Sequence, residues 1–205
     1  MRYHQFIYLG LSVVALAAGG CGSAPVWKRQ TFAFSVPPDP PAAGPTNLCA
    51  VTRVSLSPVF QNLSFTYRTS ENKYEQDPYA GFVAAPDRAI AEPIRGWLRC
   101  GGAFGHVLEP GSSLDPAMII EPAVQELYGD LRKPSEDAGV MTIHFTVYDT
   151  AADGPGRVRF DKSFTARTPL AKRTPAALMT AWDTDLRQIM EQLNSEYAKA
   201  HPDDR

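Results

Sequence analysis

The sequence holds few of the residues that enzymes and metalloproteins concentrate at their sites. It has 4 histidines and 3 cysteines in 205 residues, and none of the histidines has a second one at metal-binding spacing. The patterns HExxH, CxxC and G-x-S-x-G and the glycine-rich phosphate loops are all absent. We therefore predict no metal, no cofactor and no catalytic residue, so the protein is not expected to be an enzyme. We interpret His106 and His144 as structural residues of two separate strands.

The chain also lacks a strong excess of one charge and a long hydrophobic run. Its 20 basic and 22 acidic residues leave a formal net charge of −2, which offers no basic stripe to a nucleic acid. The apolar run over residues 6–18 is too short for a transmembrane helix. With 44% hydrophobic and 20% charged residues, the chain is suited to one globular domain with a sizeable core.

What the N-terminus does contain is the pattern of a secretory signal peptide over residues 1–20: an early positive charge, the apolar run and then small residues. It is followed by Cys21, as in a bacterial lipobox, although Ala18 stands where leucine is usual. We predict that Cys21 is acylated and that residues 21–30 form a tether; cleavage by the general signal peptidase is the alternative. By resemblance to the enterobacterial sorting rule, Gly22 in place of aspartate permits transit to the outer membrane, so we expect lipid anchoring there, facing the periplasm, rather than in the inner membrane.

Two further cysteines, Cys49 and Cys100, would be exported to an oxidising compartment, where a pair is first interpreted as a disulfide. Such a bond would close a loop of about 50 residues and stabilise the fold by roughly 4 kcal/mol in the chain-entropy model. Two buried free thiols are the alternative, and mass spectrometry under non-reducing conditions distinguishes the two.

Alternation of apolar residues predicts most of the strands. The predicted strands cover residues 30–36, 48–58, 63–68, 103–110, 117–132, 139–150 and 157–170. Five prolines between residues 37 and 45 separate the first strand from the second. They form either a loop inside the domain or the end of the tether, with the domain beginning near Leu48; the alternation of Phe32, Phe34 and Val36 before them favours the loop.

Two helices complete the pattern. The first is predicted from about Asp87, as its N-cap, to the glycines at 101–102, although Pro93 also allows a start near Glu92. The second is long and amphipathic, with Thr174 as its cap and Pro175 in its first position. The element order predicts an α+β fold over residues 31–200, in which two main helices pack on an antiparallel-rich mixed sheet, followed by a polar tail over 201–205.

The segment KYEQDPYAGF places Tyr74, Tyr79 and Phe82 close together just before the first helix. No nucleophile, base or metal cluster accompanies them. Two interpretations stay open: Tyr79 and Phe82 close the core by covering the start of the helix, or the segment forms a partner interface, where tyrosine is enriched. Tyr74, Tyr79 and Phe82 are therefore our candidate interface residues.

Taken together, these features resemble the PqiC-like auxiliary lipoproteins of ABC-type transport systems, which accompany MCE-domain proteins in lipid trafficking between Gram-negative membranes. The resemblance lies in the order of individually weak motifs along nearly the whole mature chain. They are GGC (19–21), VTRVSLSP (51–58), Tyr67-Arg68, Tyr74-Glu75 and AEPIRGWL (91–98). The family commonly has a tryptophan just before its AEP-like helix start, whereas this chain has Ile90 there.

The resemblance implies a compact fold similar to the N-terminal domain of TolB. It also implies a non-catalytic function as a lipid-anchored periplasmic subunit of an MCE/ABC-type phospholipid transport system that supports envelope integrity. Its partners would be the MCE protein, onto which it docks, the ABC permease and ATPase, and further copies of itself in a ring. Two alternatives remain: a stand-alone envelope lipoprotein that binds a lipid or another small ligand, and an envelope enzyme of unrecognised type.

Overall fold

The computed structural model describes residues 28–37, 45–100, 102–150 and 156–202. The predicted signal peptide, Cys21 and most of the tether lie outside the described residues. The strands are β1 (Gln30–Phe32), β2 (Leu48–Val51), β3 (Ser55–Leu56), β4 (Ser64–Ser70), β5 (Lys73–Phe82), β6 (His106–Val107), β7 (Met118–Asp130), β8 (Ala138–Asp149) and β9 (Val158–Pro169). The helices are α1 (Pro86–Cys100) and α2 (Pro175–Ala200), and a short 3₁₀ turn covers Pro58–Phe60.

Strand β7 organises the mixed sheet. Along one edge it pairs in parallel with β2, then β3 and then β4. Along its other edge it pairs with β8 in antiparallel, and β8 pairs in the same way with β9. Beyond β4, the sheet continues through β5 to β1. The predicted α+β class, with a mixed sheet and two helices packed on it, is confirmed.

The core lies between α2 and one face of β8. Alternate residues of β8 point to the helix side, and the four apolar ones predicted to share a face are all 0% exposed: Met141, Ile143, Phe145 and Val147. The predicted stripe of α2 faces them and is at most 1% exposed: Leu178, Trp182, Leu186, Ile189, Leu193 and Tyr197. Thr174 caps α2 as predicted, accepting a hydrogen bond from the backbone N–H of Ala177 at 3.3 Å. Periodicity therefore located both elements and their buried faces.

Helix α1 begins earlier than either predicted start. Its first residue is Pro86, so Asp87 lies in the first turn rather than at the N-cap, and its carboxylate pairs with Arg53 at 2.7 Å. Pro93 lies inside the helix, where it lacks the N–H that would bond to Ala89. The buried face of α1, which includes Ile90, offsets that loss by packing into the core.

The segment KYEQDPYAGF is strand β5, which alternation did not predict. Charged residues and Pro78 disfavour a strand in isolation. Between Ser64 and Thr66 of β4, however, the pairing moves from Gly81 to Gln76 of β5, so that Pro78 falls in a bulge. A proline costs little there because no ladder hydrogen bond is lost. The strand forms because β4 and β1 pair with its two edges.

The predicted strand over 48–58 is also two short strands, β2 and β3, each pairing with a different part of β7. The alternation that begins at Leu48 runs without interruption to Leu56, and no glycine or proline marks the bend between β2 and β3. Of the two aromatic residues before the proline run, Phe32 ends β1, which pairs with β5, and Phe34 lies beyond the end of the strand; both pack against the core.

Candidate functional site

The fold separates the three candidate interface residues of β5. Phe82 is only 4% exposed; its ring stacks on Trp182 at 5.6 Å between centroids and meets Phe65 edge-on at 4.9 Å. Phe82 is therefore a core residue, and the prediction that it belongs to a partner interface was wrong. The hydrophobic contact with α2 is the physical reason. Tyr74 and Tyr79 are 38% and 50% exposed and lie toward opposite ends of β5.

Tyr74 belongs to a cluster that we call the aromatic cluster: Phe60, Arg68, Tyr74 and Tyr128. The Tyr74 ring meets Phe60 at 6.0 Å and Tyr128 at 5.9 Å, both edge-on. The Arg68 guanidinium lies 5.6 Å from the centroid of Tyr74 and 5.8 Å from that of Tyr128, which permits cation–π attraction. Arg68 is held in place by a hydrogen bond to the carbonyl of Glu71 at 2.6 Å. The cluster is therefore ordered before any partner arrives.

The aromatic cluster lies on the face of the sheet opposite the helices. A side chain at Gly129 would meet Leu178 of α2, so residue 129 faces the helices and its neighbour Tyr128 faces away. Val59, the residue before Phe60, is 48% exposed beside it. Sequence reasoning singled out Tyr74 but missed Phe60 and Tyr128, because they come from a 3₁₀ turn and a distant strand.

A network of ion pairs around the buried carboxylate of Asp130 lies next to this cluster. The side chain of Asp130, at the end of β7, is 5% exposed. It accepts two hydrogen bonds from the Arg132 guanidinium, both at 2.9 Å, and one from the Arg167 guanidinium at 2.6 Å. These guanidinium groups hold the pKa of Asp130 well below its usual range. Arg132 also pairs with Glu71 at 3.0 Å, so the two arginines, Asp130 and Glu71 neutralise one another's charges.

The same outer face carries a row of polar side chains on β8 and β9. His144 Nδ1 lies 2.9 Å from Ser163 Oγ, and its Nε2 lies 3.2 Å from Asp161. Both contacts join neighbouring strands, as cross-strand pairs do. The positions of His144, Asp161 and Ser163 in the sequence gave no indication that their side chains meet. His106 is exposed on β6, far from His144 in the sheet order. Within the described ranges, no group of three or more histidine, cysteine or acidic residues is placed to hold a metal ion.

A pair of clefts lies between the β2–β3 bend and α1. Their volumes are about 450 and 500 Å³, and both are lined by Arg53, Val54 and Asp87. Both clefts are bordered by the ion pair between Arg53 and Asp87, and the arginine side chain is 81% exposed. The segments VTRVSLSP and AEPIRGWL, which are 40 residues apart in the sequence, both contribute to the second cleft. Sequence reasoning named both segments without predicting that they meet.

The two cysteines are free thiols in this structure. Cys49 is 0% exposed on β2, and burial raises the pKa of its thiol to about 11, which disfavours the thiolate that disulfide exchange requires. Cys100 is half-buried at the end of α1. The disulfide is not formed here and stays a prediction, as does the acylation of Cys21. In the part of the chain described, neither helix is long and apolar enough to cross a membrane.

Solved structures with this fold are known. Protein XCC0632 from Xanthomonas campestris, which carries the family name DUF330, matches with a TM-score of 0.69 at 15% identity, covering 88% of this chain and 98% of that chain. A second, described as an uncharacterized protein, matches with a TM-score of 0.63 at 13% identity, covering 84% and 97%. No family model and no curated protein matches the sequence. The chain therefore shares the fold of a DUF330 protein, at an identity that shows the fold alone.

Proposed function

We propose that this protein is a non-catalytic, lipid-anchored subunit of an MCE/ABC-type lipid transport system, and that it docks onto the MCE component. The N-terminal pattern ending at Cys21 and the ordered motifs along the chain support this function. The fold shared with XCC0632 is compatible with it. Assembly into a ring of protomers stays a prediction of the same resemblance.

The observation that carries the proposal is the ordered aromatic cluster on the outer face of the sheet, in which the Tyr74 ring is exposed. Large rings that are already fixed lose little conformational entropy on binding, and tyrosine and arginine are enriched at binding hot spots. Tyr74 presents 38% of its surface, while Phe60 and Tyr128 support it from behind at 6% and 4% exposure. The paired charges around Asp130 and Arg132 would form the polar rim that surrounds such a centre.

Replacing Tyr74 with alanine should reduce co-purification of the MCE and ABC components by more than about tenfold, because loss of a hot spot costs at least about 2 kcal/mol. The measurement is recovery of those components from membranes solubilised in detergent after in-cell cross-linking. Tyr148→Ala is the matched control. Tyr148 is a half-buried tyrosine of β8 whose hydroxyl donates to Glu121 at 2.8 Å, and its loss should leave recovery unchanged.

The two parts of the proposal fail in different ways. If the wild-type protein recovers neither an MCE nor an ABC component, the function itself is overturned. If Tyr74→Ala recovers them as well as wild type does, only the docking surface is wrong. Thermal unfolding of each variant must accompany the assay, because Tyr74 also packs against Phe60 and Tyr128.

A second candidate function is favoured by the clefts at Arg53. Volumes of 450 and 500 Å³ lie in the range of small-molecule sites. The second cleft combines apolar groups such as Val54 with three arginine and two acidic side chains, and this excess of one positive charge suits an amphiphile with an anionic head. Under this alternative, the protein itself carries a lipid or another small ligand.

Lipid extraction and mass spectrometry of the purified protein test this alternative. A ligand-carrying protein should yield a stoichiometric bound amphiphile, and Arg53→Ala should lower its amount. Arg173→Ala is a matched control, because Arg173 is also an exposed arginine paired with an aspartate, Asp137, on another part of the fold. An extract without a stoichiometric ligand would leave the docking function as the better explanation.

A further inference from the structure

We propose that the surface around the start of β1 rests on lipid headgroups, so that the domain contacts the membrane that anchors it. This surface, the membrane-facing patch, consists of Lys28, Arg29, Leu63, Tyr79 and Val83. The inference rests on the lipid anchor of the proposed function and adds a second, distinct surface to it.

Three exposed apolar side chains lie at the end of the sheet where β5 ends and β4 begins. Leu63, Tyr79 and Val83 are 47%, 50% and 64% exposed. The carbonyl of Leu63 accepts a hydrogen bond from Phe82 N, so Leu63 lies beside the residue that precedes Val83. Val83 N in turn donates to the carbonyl of Phe32 at the end of β1. Large exposed apolar side chains near one another are compatible with a binding surface.

Basic residues accompany these apolar groups. Lys28 and Arg29 are both exposed just before β1. The Arg29 guanidinium donates to Ser64 Oγ at 3.1 Å and lies across Gly81, where a Cβ would come within 2.7 Å of it. It is thereby held beside Ser64, the residue after Leu63, and Gly81, two residues after Tyr79. A basic residue near an anionic bilayer contributes about 1 kcal/mol of attraction, and tyrosine suits the boundary between headgroups and acyl chains.

The short chain between Cys21 and β1 indicates that the patch binds a lipid surface. Lys28 follows Cys21 by only seven residues, so the start of the patch lies within about 25 Å of an acylated Cys21 even if the intervening chain is fully extended. A lipid surface is therefore always within reach of this patch. Basic and apolar side chains together match an anionic bilayer, to which interfacial segments bind by the same combination.

The patch and the aromatic cluster lie toward opposite ends of β5. Tyr74 pairs with Arg68 and Gly81 with Ser64, so these two positions of β5 are separated by only four residues of β4, roughly 13 Å at the rise of a β-strand. The domain can thus contact the bilayer at one end of β5 while the Tyr74 end remains open to a protein partner.

Tryptophan fluorescence in vesicles tests the patch on the full-length, processed lipoprotein. Trp27 is first replaced by phenylalanine; Trp97 and Trp182, at 1% and 0% exposure, then give a constant background. The protein is reconstituted into vesicles of phosphatidylethanolamine and phosphatidylglycerol whose acyl chains carry bromine near the headgroup. Val83→Trp is the probe. Val158→Trp is its matched control, because Val158 is 56% exposed at the start of β9 and outside the patch.

We expect bromine to quench Val83→Trp at least about twofold more than Val158→Trp, and the difference to shrink in vesicles of phosphatidylcholine alone or with Lys28→Glu and Arg29→Glu. Equal quenching of the two probes overturns the patch. Sedimentation with the vesicles tests the lipid anchor separately from the contact between the patch and the bilayer. A protein that sediments without selective quenching is anchored but does not rest on this surface, whereas a protein that does not sediment has no lipid anchor, which overturns both.

Discussion

Replacing Asp185 with asparagine should stabilise the protein at pH 8 and remove most of the loss of stability between about pH 4 and pH 7. Asp185 lies on α2 and is 0% exposed. One carboxylate oxygen accepts a hydrogen bond from the hydroxyl of Thr168 at 2.6 Å, and the other, Oδ2, is buried without a hydrogen-bond partner among the described residues. The Cβ of any residue at 139 other than glycine would come within 3.2 Å of Oδ2. The charged form is therefore poorly accommodated in this site.

The sign of the pH dependence follows from the direction of the pKa shift. Burial raises the pKa of Asp185 to about 7, although the Thr168 hydrogen bond and the charge of Arg167 partly oppose it. Between its usual value of roughly 4 and that raised value, the folded state holds a proton that the unfolded state has released. The free energy of unfolding therefore falls as the pH rises through this window and is constant above it.

Asp130 acts in the opposite direction at lower pH. Arg132 and Arg167 lower its pKa, so the stability it contributes is present above roughly pH 4 and is lost as the pH falls further. From these two groups together, we expect maximal stability near about pH 4–5 in the wild-type protein.

Urea unfolding at pH 5 and pH 8 measures the effect. Each pKa unit corresponds to about 1.4 kcal/mol, and the asparagine leaves an unpaired amide, so we expect Asp185→Asn to gain about 1–3 kcal/mol over wild type at pH 8 and little at pH 5. Asp115→Asn, at an exposed loop position, is the control and should change stability by less than about 0.5 kcal/mol at either pH. An Asp185→Asn protein with the wild-type pH dependence would mean that Asp185 is not the group that titrates.

The sequence predicted the helices and strands that carry a regular apolar pattern in their own residues. The stripe of α2, its Thr174 cap and the alternation of β8 are local patterns, and each was found where the pattern placed it. By contrast, β5 has no such pattern: its pairing partners β4 and β1 impose the strand, and a bulge accommodates Pro78. Helix α1 starts at Pro86 because its buried face continues that far, which outweighs the local signal at Asp87.

The candidate surfaces were less predictable because they combine distant segments. The aromatic cluster joins Phe60 from a turn, Tyr74 from β5 and Tyr128 from β7. Residues from three elements become neighbours only through the order of the strands in the sheet, which no single stretch of sequence encodes. The sequence could therefore name Tyr74 as a candidate, but it could not distinguish its surroundings from those of Phe82.

Phe82→Ala should destabilise the fold by about 3–5 kcal/mol, whereas Tyr79→Ala, three residues away, should cost less than about 1 kcal/mol. The Phe82 ring contacts Trp182, Phe65 and also Phe34, whose centroid lies 5.8 Å away. Its removal would leave a cavity between β5 and α2. Tyr79 is half-exposed, so truncating it removes mainly surface in contact with water.

Equilibrium unfolding in urea measures both variants, with Phe82→Leu as an intermediate case that keeps most of the buried volume and should cost less than about 1.5 kcal/mol. Since a domain is stable by only about 5–15 kcal/mol, Phe82→Ala would remove a large share of the total. Equal, small losses for Phe82→Ala and Tyr79→Ala would mean that this end of β5 is not held against α2. The exposed side chains of Leu63 and Val83 would then lack rigid support, because the Phe82 ring packs on Trp182 while its N–H donates to the carbonyl of Leu63, and Val83 follows it directly.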